Sequence, residues 1–289
     1  MSALNILEET KKEDSTLILA FSGWMDGGSV STGTVERLVE LFSATRMATI
    51  DSEDYYLFNF PGSMELSSLF RPHIEIQHGL IKSVEMPTND FYVHPKAPVY
   101  FFIGKEPNLR WNSFGNDIFE FSIRHNIARI IFVGSFGGTV PHTREPRLFA
   151  TSCDESLLNG LSEFGIQQTD YSGPGSFTSY LMTRASEAQI EMFSIVAEIP
   201  SYLHGRNPMC IEAVTRRLAK VLRLPLDVDT LRSKSTDWEL EISQMVESDE
   251  ELASRVRELE NEYDNQLIGL SPNPTDEPPL PFDDESPEF

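Results

Sequence analysis

The stretch Thr16-Leu17-Ile18-Leu19-Ala20-Phe21-Ser22-Gly23-Trp24-Met25-Asp26-Gly27-Gly28 decides the fold. Six residues from Thr16 form an apolar run short enough for a buried strand, closed by a glycine. From Ser29 to Phe42, Val30, Val35, Leu38, Val39 and Phe42 recur roughly at helical spacing. This is a strand, a glycine loop and a helix. The same grammar continues along the chain. Val99–Ile103 is an apolar strand, and Phe114, Ile118, Phe121 and His125 follow on one helical face. Arg129–Val133 is another strand, ending at Gly134. Leu157, Leu158, Leu161 and Phe164 mark a helix that stops at Gly165. Tyr180 to Gln189 reads as helix, Met192–Glu198 as strand and Ile211 to Leu222 as helix. Strands alternating with helices predict an α/β body with a mostly parallel sheet covered on both faces. His73–His78 and Leu80–Met86 read as a hairpin or edge pair, which makes the expected sheet mixed.

Outside this body the pattern changes. Trp238, Ile242, Met245, Asp249, Leu252, Val256, Leu259 and Tyr263 recur at spacings of four and three, a heptad seam broken only by Asp249. Such a segment is a long helix or helical hairpin laid on the body, or a helix for another subunit or partner. The final stretch from Ser271 holds six prolines and six acidic side chains with no basic one, the composition of a disordered tail. The expected organisation is therefore a core over 1–236, an acidic helical extension over 237–270 and a Pro-rich tail over 271–289.

The 289 residues include 23 Lys and Arg against 45 Asp and Glu, a net charge of −22. Residues 1–236 account for only −7 of it and residues 237–264 for −9. A basic face for nucleic acid or an anionic membrane is not expected. At 40% apolar residues the chain has material for a sizeable core, which excludes wholesale disorder. No run approaches the ~18 apolar residues of a membrane span. The polar start, Met1 to Lys12, lacks a signal-peptide core. Cys153 and Cys210 are too few for a disulfide framework or a zinc site, and a cytoplasmic setting with buried, inert thiols is expected.

In open α/β sheets ligands bind beyond the carboxyl ends of the strands, and three loops fall there. In Gly23–Gly28, Asp26 either caps the following helix or, with Trp24, Gly27 and Gly28, contacts a ligand. No Lys-Ser/Thr ending follows, so this is not a nucleotide phosphate loop. In Gly134–Arg144, His142 is a candidate acid/base and Thr143 and Arg144 a candidate anion clamp; the alternative is a structural loop with Arg144 paired to an acidic neighbour. Ser135 follows Gly134 directly, so no nucleophile elbow forms. In Tyr171–Phe177, Ser172 and Gly173 either begin a helix or hold an anion. Arg206 follows the Met192–Glu198 strand and could share the same rim. His73 and His78, five apart on a strand, face opposite sides and make poor metal partners. Glu36 and Glu40 read as a solvated helix stripe.

The three stretches Phe21–Gly28, Val140-Pro141-His142-Thr143-Arg144-Glu145-Pro146 and Ser172-Gly173-Pro174-Gly175, in this order, resemble the proteasome assembly chaperone family in its bacterial and archaeal branch. The match spans roughly residues 15–225, and the acidic heptad extension is similar to the actinobacterial type. The resemblance implies a three-layer α/β/α body with a phosphorylase/hydrolase-like mixed sheet. It further implies self-association, often as trimers, no established cofactor, and proteasome subunits as partners. Some members have been labelled ligases of the ATP-grasp type, a label this chain does not support, since it shows no nucleotide loop. The ending Pro287-Glu288-Phe289 differs from the hydrophobic-Tyr-any-residue terminus by which some of these chaperones dock, so docking in that way is not expected. Two functions therefore stand side by side: an assembly or scaffold factor working through protein surfaces, and a small-ligand-binding or hydrolase/ligase-type enzyme with a polar pocket at the strand ends.

Overall fold

The computed structural model of the chain describes residues 2–226 and 229–269; the expected Pro-rich tail lies outside the described residues. The strands are β1 Leu4–Ile6, β2 Ser15–Ser22, β3 Thr45–Ile50, β4 His73–Gln77, β5 Leu80–Glu85, β6 Asp90–Val93, β7 Val99–Lys105, β8 Ile127–Gly138, β9 Leu148–Ser152, β10 Ile166–Gln168 and β11 Glu191–Pro200. The helices are α1 Val30–Leu41, α2 Met64–Ser68, α3 Trp111–Arg124, α4 Glu155–Leu158, α5 Phe177–Ala185, α6 Pro208–Val221, α7 Asp229–Glu247 and α8 Glu250–Leu267.

Nine strands form one mixed sheet in the order β1-β3-β6-β7-β2-β8-β11-β9-β10. The central four, β7, β2, β8 and β11, run parallel. Strand β2 is buried from Ser15 to Phe21, as a central strand covered on both faces requires. Successive side chains of β2 therefore feed two different cores. Leu17, Leu19 and Phe21 join Phe102, Phe132, Phe114, Ile118 and Phe177 beneath α3 and α5. Ile18 and Ala20 join Phe101, Val133, Ile195, Leu38, Ile211 and Val214 beneath α1 and α6. Phe21 anchors the first core with ring centroids 5.2 Å from Phe102 and 5.5 Å from Phe177. The outcome is the three-layer α/β/α body that the alternating pattern predicts.

The hairpin β4–β5 departs from expectation. It pairs antiparallel with itself and forms a separate two-stranded sheet, so it contributes nothing to the mixed character of the main one. That character comes from β1, β3 and β6 on one flank and from β9, antiparallel to β11, on the other. The helix expected across Leu157–Phe164 is interrupted. Asn159 is extended and Gly160 takes φ +83°, so α4 gives way to a 3-10 turn over Leu161–Phe164.

The heptad segment folds as a helical hairpin. Asp249, the one polar residue in the seam, ends the run: its carboxylate accepts from the N–H of Glu251 and Leu252, both at 3.1 Å, and caps α8. Ile242, Val246 and Val256 are buried against Tyr202 and Leu203 of the body, with Trp238 and Leu252 partly covered. Met245, a heptad position, is exposed, and Val246 beside it takes the inward place.

Candidate functional site

The carboxyl ends of β7, β2, β8 and β11 define one rim. The first loop leaves β2 at Gly23 and is knitted to its neighbours through its backbone. Ser135 of β8 donates its N–H to the Met25 carbonyl at 2.9 Å and its hydroxyl to the Gly27 carbonyl at 2.7 Å. The Asn207 N–H donates to the Gly28 carbonyl at 2.8 Å. Gly28 sits at φ +62°, where a side chain is strained, and an added Cβ would come within 2.9 Å of the Asn207 Cβ. These glycines serve close packing of the loop onto the sheet.

Asp26 caps α1. Its carboxylate accepts from the Thr32 N–H at 3.1 Å and from the Thr32 hydroxyl at 2.8 Å. Burial pushes its carboxyl up to about 6, opposed by those same hydrogen bonds. Trp24 projects into solvent at 65% exposure.

Glu106, just beyond β7, links the first loop to the third. Its carboxylate accepts from the Trp24 N–H at 3.1 Å and from the Phe177 N–H at 2.8 Å, at the start of α5. Ser176 caps α5 by accepting from the Ser179 N–H at 3.1 Å. Ser172 and Gly173 are exposed in the loop before it. The Tyr171 hydroxyl closes that loop by donating to the Pro174 carbonyl at 3.1 Å.

The second loop is where side chains converge, and what they meet is the helical hairpin. His142 is 2% exposed. Its backbone N–H donates to the Tyr202 hydroxyl at 2.9 Å, and its Nδ1 lies 2.8 Å from the same oxygen. Its Nε2 lies 3.1 Å from the Ser243 hydroxyl of α7. One assignment satisfies all three: Tyr202 receives the backbone N–H, donates its own proton to Nδ1, and Nε2–H donates to Ser243. Burial lowers the imidazole pKa, which favours this neutral ring; the Glu260 carboxylate pulls the other way. Burial also raises the Tyr202 phenol to about 12, so it keeps its proton.

Thr143 donates its hydroxyl to Glu260 of α8. Arg144 forks onto Asp264, with Nε to Oδ1 and Nη2 to Oδ2 both at 2.8 Å, and lies 3.6 Å from Glu260. The hydrogen bonds from Arg144 hold the Asp264 carboxyl below its usual range. Behind this pair, Glu198 of β11 is 5% exposed. It accepts from the N–H of Thr139 at 2.6 Å and of Val140 at 3.2 Å, and pairs with Arg147 at 2.9 Å. Gly138 lies so close to that carboxylate that any Cβ there would overlap it. Arg147 also donates to the Gln266 side-chain oxygen at 2.5 Å and stacks on Tyr263, 4.6 Å from the ring centroid. The Tyr263 hydroxyl donates to the Glu145 carbonyl at 3.0 Å.

The rim thus holds all three loops, but their side chains meet different surroundings. Asp26 faces α1, His142 and Arg144 face α7 and α8, and Ser172 and Gly173 face solvent. Arg206 is exposed and lies 3.4 Å from Glu36 of α1, a solvent-facing pair. Two concavities lie elsewhere. One is an open groove of about 570 Å³ between α3 and α5, lined by Phe119, Ile123, Arg124 and Arg184 among others. The other, about 180 Å³, lies by Leu157, Met192 and Cys153; Cys153 follows the edge-side strand β9 and is exposed, whereas Cys210 is buried as expected. Neither concavity includes Asp26, His142 or Arg144. Among the described residues no three His, Cys, Asp or Glu side chains converge as metal ligands, and no helix is long and apolar enough to cross a membrane.

Glu106, Glu198, Tyr202, Ser243, Glu260 and Asp264 escape a reading of the sequence. Only the last two left a signal. They stand four apart, on one face of a helix, in a segment rich in acid opposite a loop that carries Thr143 and Arg144.

The PAC2 family model matches residues 20–246. No curated protein matches the chain in sequence. A proteasome-assembly chaperone homologue from Mycobacterium tuberculosis superposes with a TM-score of 0.72 at 26% identity, covering 83% of this chain and 99% of that one. A PAC2 family protein from Streptomyces avermitilis superposes with a TM-score of 0.70 at 24% identity, covering 84% and 100%. A Corynebacterium glutamicum protein of unknown function reaches a TM-score of 0.79 at 19% identity, covering 93% and 99%.

Proposed function

The chain belongs to the PAC2 family, and from that premise we propose that it is a self-associating assembly or scaffold factor of the cytoplasm, working through protein surfaces on proteasome subunits. The observation that carries this reading is the engagement of the one loop rich in catalytic residue types. His142 has both ring nitrogens at hydrogen-bond distance from hydroxyls, and Arg144 is spent on two carboxylates of α8. A general base must reach its substrate's proton and an anion clamp must present free N–H groups. Neither side chain meets that requirement while α7 and α8 are docked. The likeness to a proteasome-assembly chaperone homologue supplies the class of partner.

The enzymatic alternative gains little from the geometry. Its three proposed groups, Asp26, His142 and Arg144, each have a structural partner and line neither concavity. The test is reconstitution. Proteasome α- and β-subunits from the same cell are mixed with and without the full chain, and core-particle formation is followed on native gels. Faster assembly, or a stable intermediate containing the chain, is expected. Unchanged assembly kinetics together with no co-purifying subunit would sink the proposal.

A further inference from the structure

We infer that the hairpin β4–β5, with the segment leading into it, is the surface through which one copy of this chain binds another. This deepens the self-associating part of the reading above and does not depend on a proteasome partner.

The sequence builds the hairpin locally. His78 and Gly79 take φ +50° and +79°, the left-handed pair that a two-residue turn needs to match strand twist. The register sets Ile74 opposite Val84 and Ile76 opposite Ile81. Ile74 and Ile76, two apart, share one face, and cross-strand pairing sets Val84 and Ile81 beside them because a bulge at Lys82 absorbs the odd spacing; His73, Glu75, Ser83 and Glu85 share the other face. A face of this kind is made to be buried. Yet all four apolar side chains are exposed, Ile81 at 66%. The hairpin joins no other strand of the described residues, so each of its strands also keeps an unpaired edge. A lone two-stranded hairpin is marginal in water and needs a third strand or a packing surface.

Size and charge indicate the occupant. Residues 60–86 contribute ten large exposed apolar side chains, Met64 and Leu69 of the α2 region among them. Summed over the hairpin and the segment before it, they expose on the order of 1,000 Å² of surface, enough material for the ~800 Å² per partner of a standard stable interface. Residues 57–88 carry two basic and three acidic side chains, nearly neutral in a chain of net charge −22. Two copies can therefore bring this region together without the repulsion that the rest of the surface would impose. An element that needs cover for its own stability needs a partner present whenever the chain is, and a second copy meets that condition.

The experiment is sedimentation velocity on the full chain at tens of micromolar, beside the double variant Ile76→Glu/Ile81→Glu. The wild type is expected to sediment as an oligomer and the variant as a single chain that still unfolds cooperatively, since the hairpin lies outside both cores. A wild type of single-chain mass, or a variant of wild-type mass, overturns the inference. Hydrogen exchange on the wild type gives a second arm that needs no substitution. Dilution through dissociation should deprotect the amides of Ile74–Gln77 and Leu80–Val84 at least tenfold while β2 and β8 stay protected. Hairpin exchange indifferent to dilution overturns it as well. Loss of the proteasome effect with the hairpin-dependent oligomer intact would count against the partner proposed above and not against this surface.

Discussion

Arg144 and Asp264, separated by 120 positions in the chain, meet as a forked ion pair with both N–O distances at 2.8 Å. The pair fastens the last described helix onto the loop after β8, and the neighbouring contacts of His142, Thr143, Arg147 and Tyr263 follow the same seam. The helical hairpin is therefore held by polar contacts as well as by its small apolar cluster of Ile242, Val246 and Val256.

Asp264→Asn removes the charge from that fork. Both partners are partly solvated, so the effect on global stability is small. The local effect is larger. Amides of α8 should exchange several-fold faster in hydrogen-exchange mass spectrometry, with β2 and β8 unchanged. Uniform acceleration across the chain would show that the hairpin unfolds only with the body.

Glu198→Ala leaves the N–H groups of Thr139 and Val140 without their acceptor and Arg147 without its carboxylate. Breaking a buried pair in this way costs about 3 kcal/mol. Urea unfolding should show a lower midpoint with an unchanged slope. Glu198→Gln keeps an acceptor in place and should lose less than half as much.

Asp26 gives a pH signature of definite sign. Its carboxyl is about 6 when folded, against an ordinary value near 3.8. The folded chain binds this proton more tightly, so stability falls as pH rises from about 4 to 6, by up to about 3 kcal/mol. Asp26→Asn, which keeps an oxygen for the Thr32 N–H, should be less stable or equal at pH 4 and more stable at pH 7. A difference from wild type that is flat across this window would refute the buried, protonatable cap.

His142 runs the other way. Burial depresses its folded pKa, so the neutral ring stabilises the fold above the unfolded value near 6.5, and that stability is lost as pH falls through the folded value. Protonation puts a hydrogen on Nδ1, which can then no longer accept from Tyr202. Limited proteolysis of residues 248–269 should accelerate in the wild type as the pH falls below the ordinary imidazole value. His142→Gln, whose amide cannot titrate, should show no such step.

Much of the body was legible in its own residues. β2, β7, β8 and β11 announce themselves as short apolar runs closed by turns or glycine, and α1, α3 and α6 by apolar residues at helical spacing. These are local signals, because a strand covered on both faces and a helix covered on one must carry their apolar pattern in consecutive residues. Asp26 was half legible: capping stood as one of two local alternatives, because a cap and its helix are neighbours in the chain. The independent hairpin β4–β5 was half legible: its pairing is local, but its separation from the main sheet is not.

By itself, the amino-acid order determined the layered α/β body, the family to which the chain belongs, and the existence of a helical segment after it. Only the tertiary structure decided what the rim residues do. Arg144 could have held an anion and His142 moved a proton, and nothing within their own loop says otherwise. Their partners, Asp264, Glu260, Ser243 and Tyr202, come from segments between 60 and 120 residues away. Charge and hydrogen-bond capacity are written in the residue type, whereas the partner that uses them up is set by how distant segments pack.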